Sequence, residues 1–165
     1  MKKKINIRFI VLLLITISVG AWRVISHKEG YGALANFTPI GAMALFGGAY
    51  FKEKWKAFLF PIATLFVSDV IMMKLYYAEH STGILYGSWY WTYGAFILMV
   101  LIGQLIKKVS VKSVVLSAIG AALAHWIFVD FGVWYMGCTD LTTGKLYTND
   151  LQGLLKCYTM AIPYM

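Results

Sequence analysis

Two carboxylates interrupt long apolar runs, Asp69 in "LFVSDVIMM" and Asp130 in "HWIFVDFGVW". An ionisable group in hydrocarbon is costly unless it faces a partner or a wet cavity, so each acid marks a place where a ligand or an ion pair is expected. Asp69 stands thirteen residues beyond Lys56, roughly 20 Å along a helix, and Asp130 stands eighteen beyond Lys112, roughly 27 Å. Both therefore fall toward the same end of the molecule. Asn36, at the head of "NFTPIGAMALFGGAYF", and Trp22 with Arg23, near the end of the first run, belong at that level too. The expected substrate-binding set is Asn36, Asp69, Trp91, Asp130 and Trp134. In it Asn36 and the two indoles orient a small solute, while the acids act as hydrogen-bond acceptors or counter-charges to a cationic group. Plainer readings stay open beside it: Asp130 touching water, with Trp126 and Trp134 as belt residues four positions away, and Asp69 in a structural ion pair with Arg23.

Catalytic patterns are poor. There is no HExxH, CxxC or paired-histidine spacing, and Gly87-Ser88 has no nucleophile elbow. The pair Gly47-Gly48 is followed by Ala-Tyr-Phe where a phosphate loop needs Lys and Ser or Thr. No metal, cofactor or enzymatic activity is expected. His125 is five residues from Asp130, about 140° away around a helix, and reads as a packing residue; a haem- or quinone-binding subunit is the alternative that would use it. Cys138 and Cys157 fall on the outer side of the topology derived below, where oxidation is permitted, so a disulfide tethering the long outer loop is an expectation.

The elements that would position these residues are membrane helices. Hydrophobic residues make up 60% of the chain and charged ones 13%, against about a quarter charged in soluble domains. Apolar runs cover about 5–25, 38–51, 55–77, 89–106, 114–136 and 151–165, and no alternating strands suggest a barrel. The fold class expected is an all-α, single-domain bundle over 1–165 with six transmembrane segments. The first run has a basic front and an apolar middle, and is read as an uncleaved start signal. Placing the N-terminus in the cytoplasm puts ten of the fifteen Lys and Arg residues inside, in accord with the positive-inside rule. The net charge of +8 is thus a topology signal, and its spread over three short loops argues against a nucleic-acid partner. A bacterial inner-membrane location follows.

Small residues indicate how the helices pack. Gly41, Ala44 and Gly48 in the second run, and Ala118 and Ala122 with their neighbours in the fifth, allow close approach or the docking of a partner subunit. The second run is short, about 21 Å for fourteen residues, with Pro39 suited to the first turn and Thr38 or Asn36 to the cap. "NFTP" is therefore expected to wall a recess below the outer surface.

Taken in order, "NFTPIGAMALFGGAYF", Ser68-Asp69, "DFGVW" and "GLLKCYTMAIPY" resemble a family of uncharacterised bacterial membrane proteins over nearly the whole chain. That family is similar to the substrate-binding S components of energy-coupling-factor (ECF) transporters. The resemblance implies six helices, a vitamin or metal ion bound near the outer face, and docking on a transmembrane coupling subunit driven by ATPases. It also implies a final helix longer than the one here, so a shortened last helix is expected. A structural or assembly protein without solute is the alternative.

Overall fold

The computed structural model describes residues 7–26, 39–78, 83–140 and 142–162, and over these the chain is all-α, with six helices and no strand. They are α1 (Ile7–Ser26), α2 (Ile40–Tyr50), α3 (Lys54–Tyr76), α4 (Trp89–Gln104), α5 (Val111–Tyr135) and α6 (Leu151–Ala161). Each starts within three residues of an apolar run, because hydrophobic continuity and turn chemistry both act locally. Ser110 and Ser113 form a capping box at the start of α5, and the Asp150 side chain accepts from the Gly153 N–H at the start of α6. Pro39 takes the N-cap position of α2 without a side-chain bond; the expected caps, Thr38 and Asn36, lie outside the described residues.

Length supports spanning for two of the six expected segments. Among the described residues, α3 and α5 are the two helices long and apolar enough to cross a membrane. Their 23 and 25 residues reach about 34 and 38 Å, whereas the 11 residues of α2 reach only about 16 Å. Helix number was thus readable from hydropathy, but spanning length holds for two.

α2 lies at the centre, against α3, α4 and α5, while α1 packs on α3 and α6 on α5. The core gathers Ile40 and Ala44 of α2, Leu65 of α3, Phe96 and Val100 of α4 and Ala121 of α5. Glycine makes the central crossing close. A Cβ on Gly48 would run into the Val100 carbonyl of α4, and one on Gly103 would run into the Leu45 carbonyl of α2. On the other side of α2, Gly47 meets α3 where the buried Pro61 leaves the Ala57 carbonyl without its usual helical donor.

The small residues expected to pack therefore divide. Ala44 and Gly48 are buried and Gly41 faces Met99, but Ala118 is exposed and Ala122 only half-buried. The reason lies further along α5, which meets α4 through its second half: Phe128 lies over Gly94, the Trp91 ring lies over Gly132, and His125 sets its edge against Phe96 at 5.6 Å. The first half of α5 turns Val115, Leu116, Ile119 and Leu123 outward.

Candidate functional site

Asp69 sits near the middle of α3 on the face shared with α1 and α4, and is 2% exposed. Both oxygens are engaged. Arg23 Nη1, reaching from the last turn of α1, donates to Oδ1 at 2.5 Å, and the Tyr93 hydroxyl of α4 donates to Oδ2 at 3.0 Å. The same Nη1 lies 2.8 Å from Ser68 Oγ and 3.4 Å from Met72 Sδ, and Ser68 passes its own proton to the Leu65 carbonyl at 2.9 Å. One residue of α1 and one of α4 thus bond the carboxylate directly, and Ser68 and Met72 of α3 hold the Arg23 that serves it. Such a buried pair stabilises only when both partners stay paired, since desolvation of either ion is costly.

Beside this pair opens a recess of about 530 Å³, lined by Arg23, Asp69, Met72, Tyr77, Tyr86 and Gly87 among others. Its far wall comes from the connection into α4, where Ser88 takes a left-handed backbone, φ 65°, a conformation that costs energy in a non-glycine residue. Burial pushes the Tyr86 phenol above its ordinary value, so this hydroxyl stays protonated at neutral pH. The recess therefore offers a guanidinium, a carboxylate and phenols with no net charge. It suits a polar or zwitterionic molecule better than a bare cation, because Arg23 already meets the charge of Asp69.

The residues expected to form one zone do not all meet there. Asp130, half-buried on α5, has no side-chain partner among the described residues, and its carbonyl accepts from Cys157 Sγ of α6 at 3.4 Å. Trp91 turns to α5, with its ring 5.1 Å from Phe128 and 5.8 Å from Phe131, and its N–H is buried without a partner among the described residues. Trp134 donates its indole N–H to the Thr148 carbonyl at 2.8 Å, which ties the loop between α5 and α6 to α5. None of the three lines the recess. Asn36 lies outside the described residues. The two acids face different neighbours, Asp69 toward α1 and α4, Asp130 toward α6.

Tyr93 and Tyr86 are the site residues that sequence reasoning missed. Tyr93 is one of several rings in "WYWTY", and nothing in their spacing singles it out from Trp91. The ion pair with Arg23, one of the two readings left open for Asp69, is formed. Cys138 and Cys157 are both free thiols, so the expected tether is not formed. Among the described residues no three His, Cys, Asp or Glu side chains converge as a metal ion would require.

The loop between α5 and α6 is held by a second carboxylate. Asp140, 2% exposed, accepts from Lys156 Nζ of α6, from the Thr142 N–H at 2.8 Å and hydroxyl at 2.6 Å, and from the Thr143 hydroxyl at 2.8 Å. These bonds, the Lys156 ammonium first, hold its carboxyl well below the usual carboxylate range. A Thr139–Leu146 bridge closes the loop above it.

A family model described as a family of unknown function (DUF6580) matches residues 3–165. No curated protein and no solved structure matches the chain. By the extent of that match the chain belongs to the DUF6580 family.

Proposed function

We propose that this member of the DUF6580 family is a membrane-embedded binding component that captures a small solute in the Arg23–Asp69 recess and passes it inward with an ATP-driven partner. The observation that carries this reading is the buried Arg23–Asp69–Tyr93 cluster standing against an open recess of about 530 Å³. A purely structural pair has no need of an open cavity at its side.

The membrane placement is supported by α3 and α5, and by how little of α5 is covered. Only Ala121 and Gly132 of that helix are buried, while Val115, Leu116, Ile119, Leu123 and Ile127 face outward. The core helix of a soluble protein would have this surface covered by neighbours; lipid is the solvent it suits. In the orientation set by the lysines, α3 runs outward from Lys54, so the recess faces outside and the N-terminus lies in the cytoplasm of a bacterial inner-membrane protein. The resemblance to ECF S components, carried by the motifs quoted above, supplies the reading of the partner as a coupling subunit with ATPases.

The test is native mass spectrometry of gently purified protein, with a thermal-shift screen of vitamins, amino acids and metal ions on wild type, Asp69→Asn and Arg23→Gln. The expected result is a co-purifying or stabilising small molecule that both variants lose. A screen in which no compound distinguishes wild type from either variant would sink the proposal. It would favour the second reading, a structural membrane protein in which Arg23 and Asp69 staple α1 to α3, which the internal pairing of these two residues supports.

A further inference from the structure

We propose that the cleft between the end of α4 and the start of α5 binds the phosphate of an anionic phospholipid, with an acyl chain running along the outer faces of the two helices. The inference rests on the membrane placement argued above and is independent of the solute.

The cleft holds about 370 Å³ and combines two chemistries. Ile102, Leu105, Ile106 and Leu116 supply apolar walls, while Lys107 and Lys108 supply cations. It lies beyond the ring contacts that join α4 to α5, which link residues 91–96 to residues 125–132. Ser117 also lines it, half-buried, and its hydroxyl bonds nothing among the described residues.

Charge at this end of the bundle is unbalanced. The packing of Gly48 against Val100 sets the end of α2 beside the end of α4, so the α2–α3 and α4–α5 connections share one end. With the first turns that follow them, these connections carry Lys52, Lys54, Lys56, Lys107, Lys108 and Lys112 against a single acid, Glu53, which is already paired with Lys56 at 2.7 Å. Lys107 and Lys108 are exposed, and neither enters an ion pair among the described residues. Two such ammonium groups at one cleft suit a shared anion, and a phosphate has acceptor oxygens enough for both.

The apolar half selects the source of that phosphate. From Leu105 an exposed stripe continues through Leu101 to Ile97, each four residues apart, over about 12 Å of helix. From Leu116 a second continues through Ile119 to Leu123, over about 10 Å of α5. Because residues of α4 and α5 pair in opposite order, Trp91 with Gly132 and Phe96 with His125, both stripes lead away from the lysines in the same direction. A soluble phosphate would use the lysines and leave the stripes bare, whereas a phospholipid covers both. In the orientation set by the lysines this end faces the cytoplasm, where the leaflet presents anionic headgroups.

The experiment titrates the full chain in detergent with dioleoyl phosphatidylglycerol and with dioleoyl phosphatidylcholine, reading bound lipid by native mass spectrometry. The expected result is a first phosphatidylglycerol adduct at about tenfold lower lipid concentration than the first phosphatidylcholine adduct. That preference should vanish in Lys107→Gln/Lys108→Gln and survive in Lys52→Gln/Lys54→Gln, which removes the same charge from the other connection. Equal binding of the two lipids by wild type would overturn the inference. Equal loss of preference in the two variants would do the same, by showing that the whole basic end acts as a diffuse surface. Displacement of the adduct by glycerol 3-phosphate at a concentration matching the lipid would also overturn it, marking a site for soluble phosphate. A chain that stays monodisperse without detergent would remove the membrane placement and this inference together, whereas the preceding results leave that placement standing.

Discussion

Gly48 of α2 and Gly103 of α4 both sit at the central crossing, where a Cβ on Gly48 would run into the Val100 carbonyl of α4 and one on Gly103 into the Leu45 carbonyl of α2. Replacing either by Ala gains up to about 1 kcal/mol of helix propensity. The clash is with backbone carbonyls, which cannot rotate away, so the overpacking cost of about 1–3 kcal/mol wins. Gly48→Ala and Gly103→Ala should both lower the thermal midpoint of the purified protein. Gly120→Ala is the control: a Cβ there meets nothing within 4 Å, so it should leave the midpoint unchanged or raise it.

Asp69 and Arg23 should show strong coupling in a double-mutant cycle. Their side chains are 1% and 19% exposed, so removing one partner strands the other with little water to replace it. Asp69→Leu or Arg23→Met alone is expected to cost about 3–5 kcal/mol, and the double variant distinctly less than the sum. Unfolding in a graded denaturing detergent reads this out. Additive losses would mean that the two do not form a pair.

Gly132 lies under the Trp91 ring, leaving no room for a methyl group. Gly132→Ala should displace the indole, lowering stability by about 1–3 kcal/mol and changing tryptophan emission. Trp91→Phe should be much milder than a usual Trp loss, because it removes an indole N–H that is buried without a partner among the described residues.

Asp140 should make the outer loop acid-resistant. Its folded pKa is depressed, so the stability it contributes is fully present above its unfolded value of about 3.9 and is lost as pH falls through the lower folded one. Hydrogen exchange at the start of α6 should therefore stay slow from neutral pH down to about 4 and rise only in stronger acid. In Asp140→Asn it should already be fast at neutral pH, since the Lys156 ion pair is gone.

How much could be read in advance follows from the range of each interaction. The six helix positions were legible because apolar runs and Pro39 act over a few residues. The importance of Asp69 was legible because a carboxylate in "LFVSDVIMM" has to be compensated, and Arg23 was the cation at its height. Tyr93 was not legible, since "WYWTY" covers more than one face of α4 and only the position of α3 decides which ring reaches Asp69. The loop clamp was equally hidden: Asp140 and Lys156 are sixteen residues apart and look like solvent-facing charges until the loop folds back on α6.

The sequence by itself determined the all-α class, the number of helices, the inward need for small residues on α2, and a demand for charge compensation at Asp69. Tertiary structure alone decided that Asp130, Trp91 and Trp134 serve the α4–α5–α6 side while Arg23, Tyr93 and Tyr86 surround Asp69. The physical reason is that helical periodicity fixes which residues share a face, and hydropathy fixes how far along a helix they lie. Which helix stands opposite that face depends on side-chain volumes at distant crossings, here the glycines of α2 and α4.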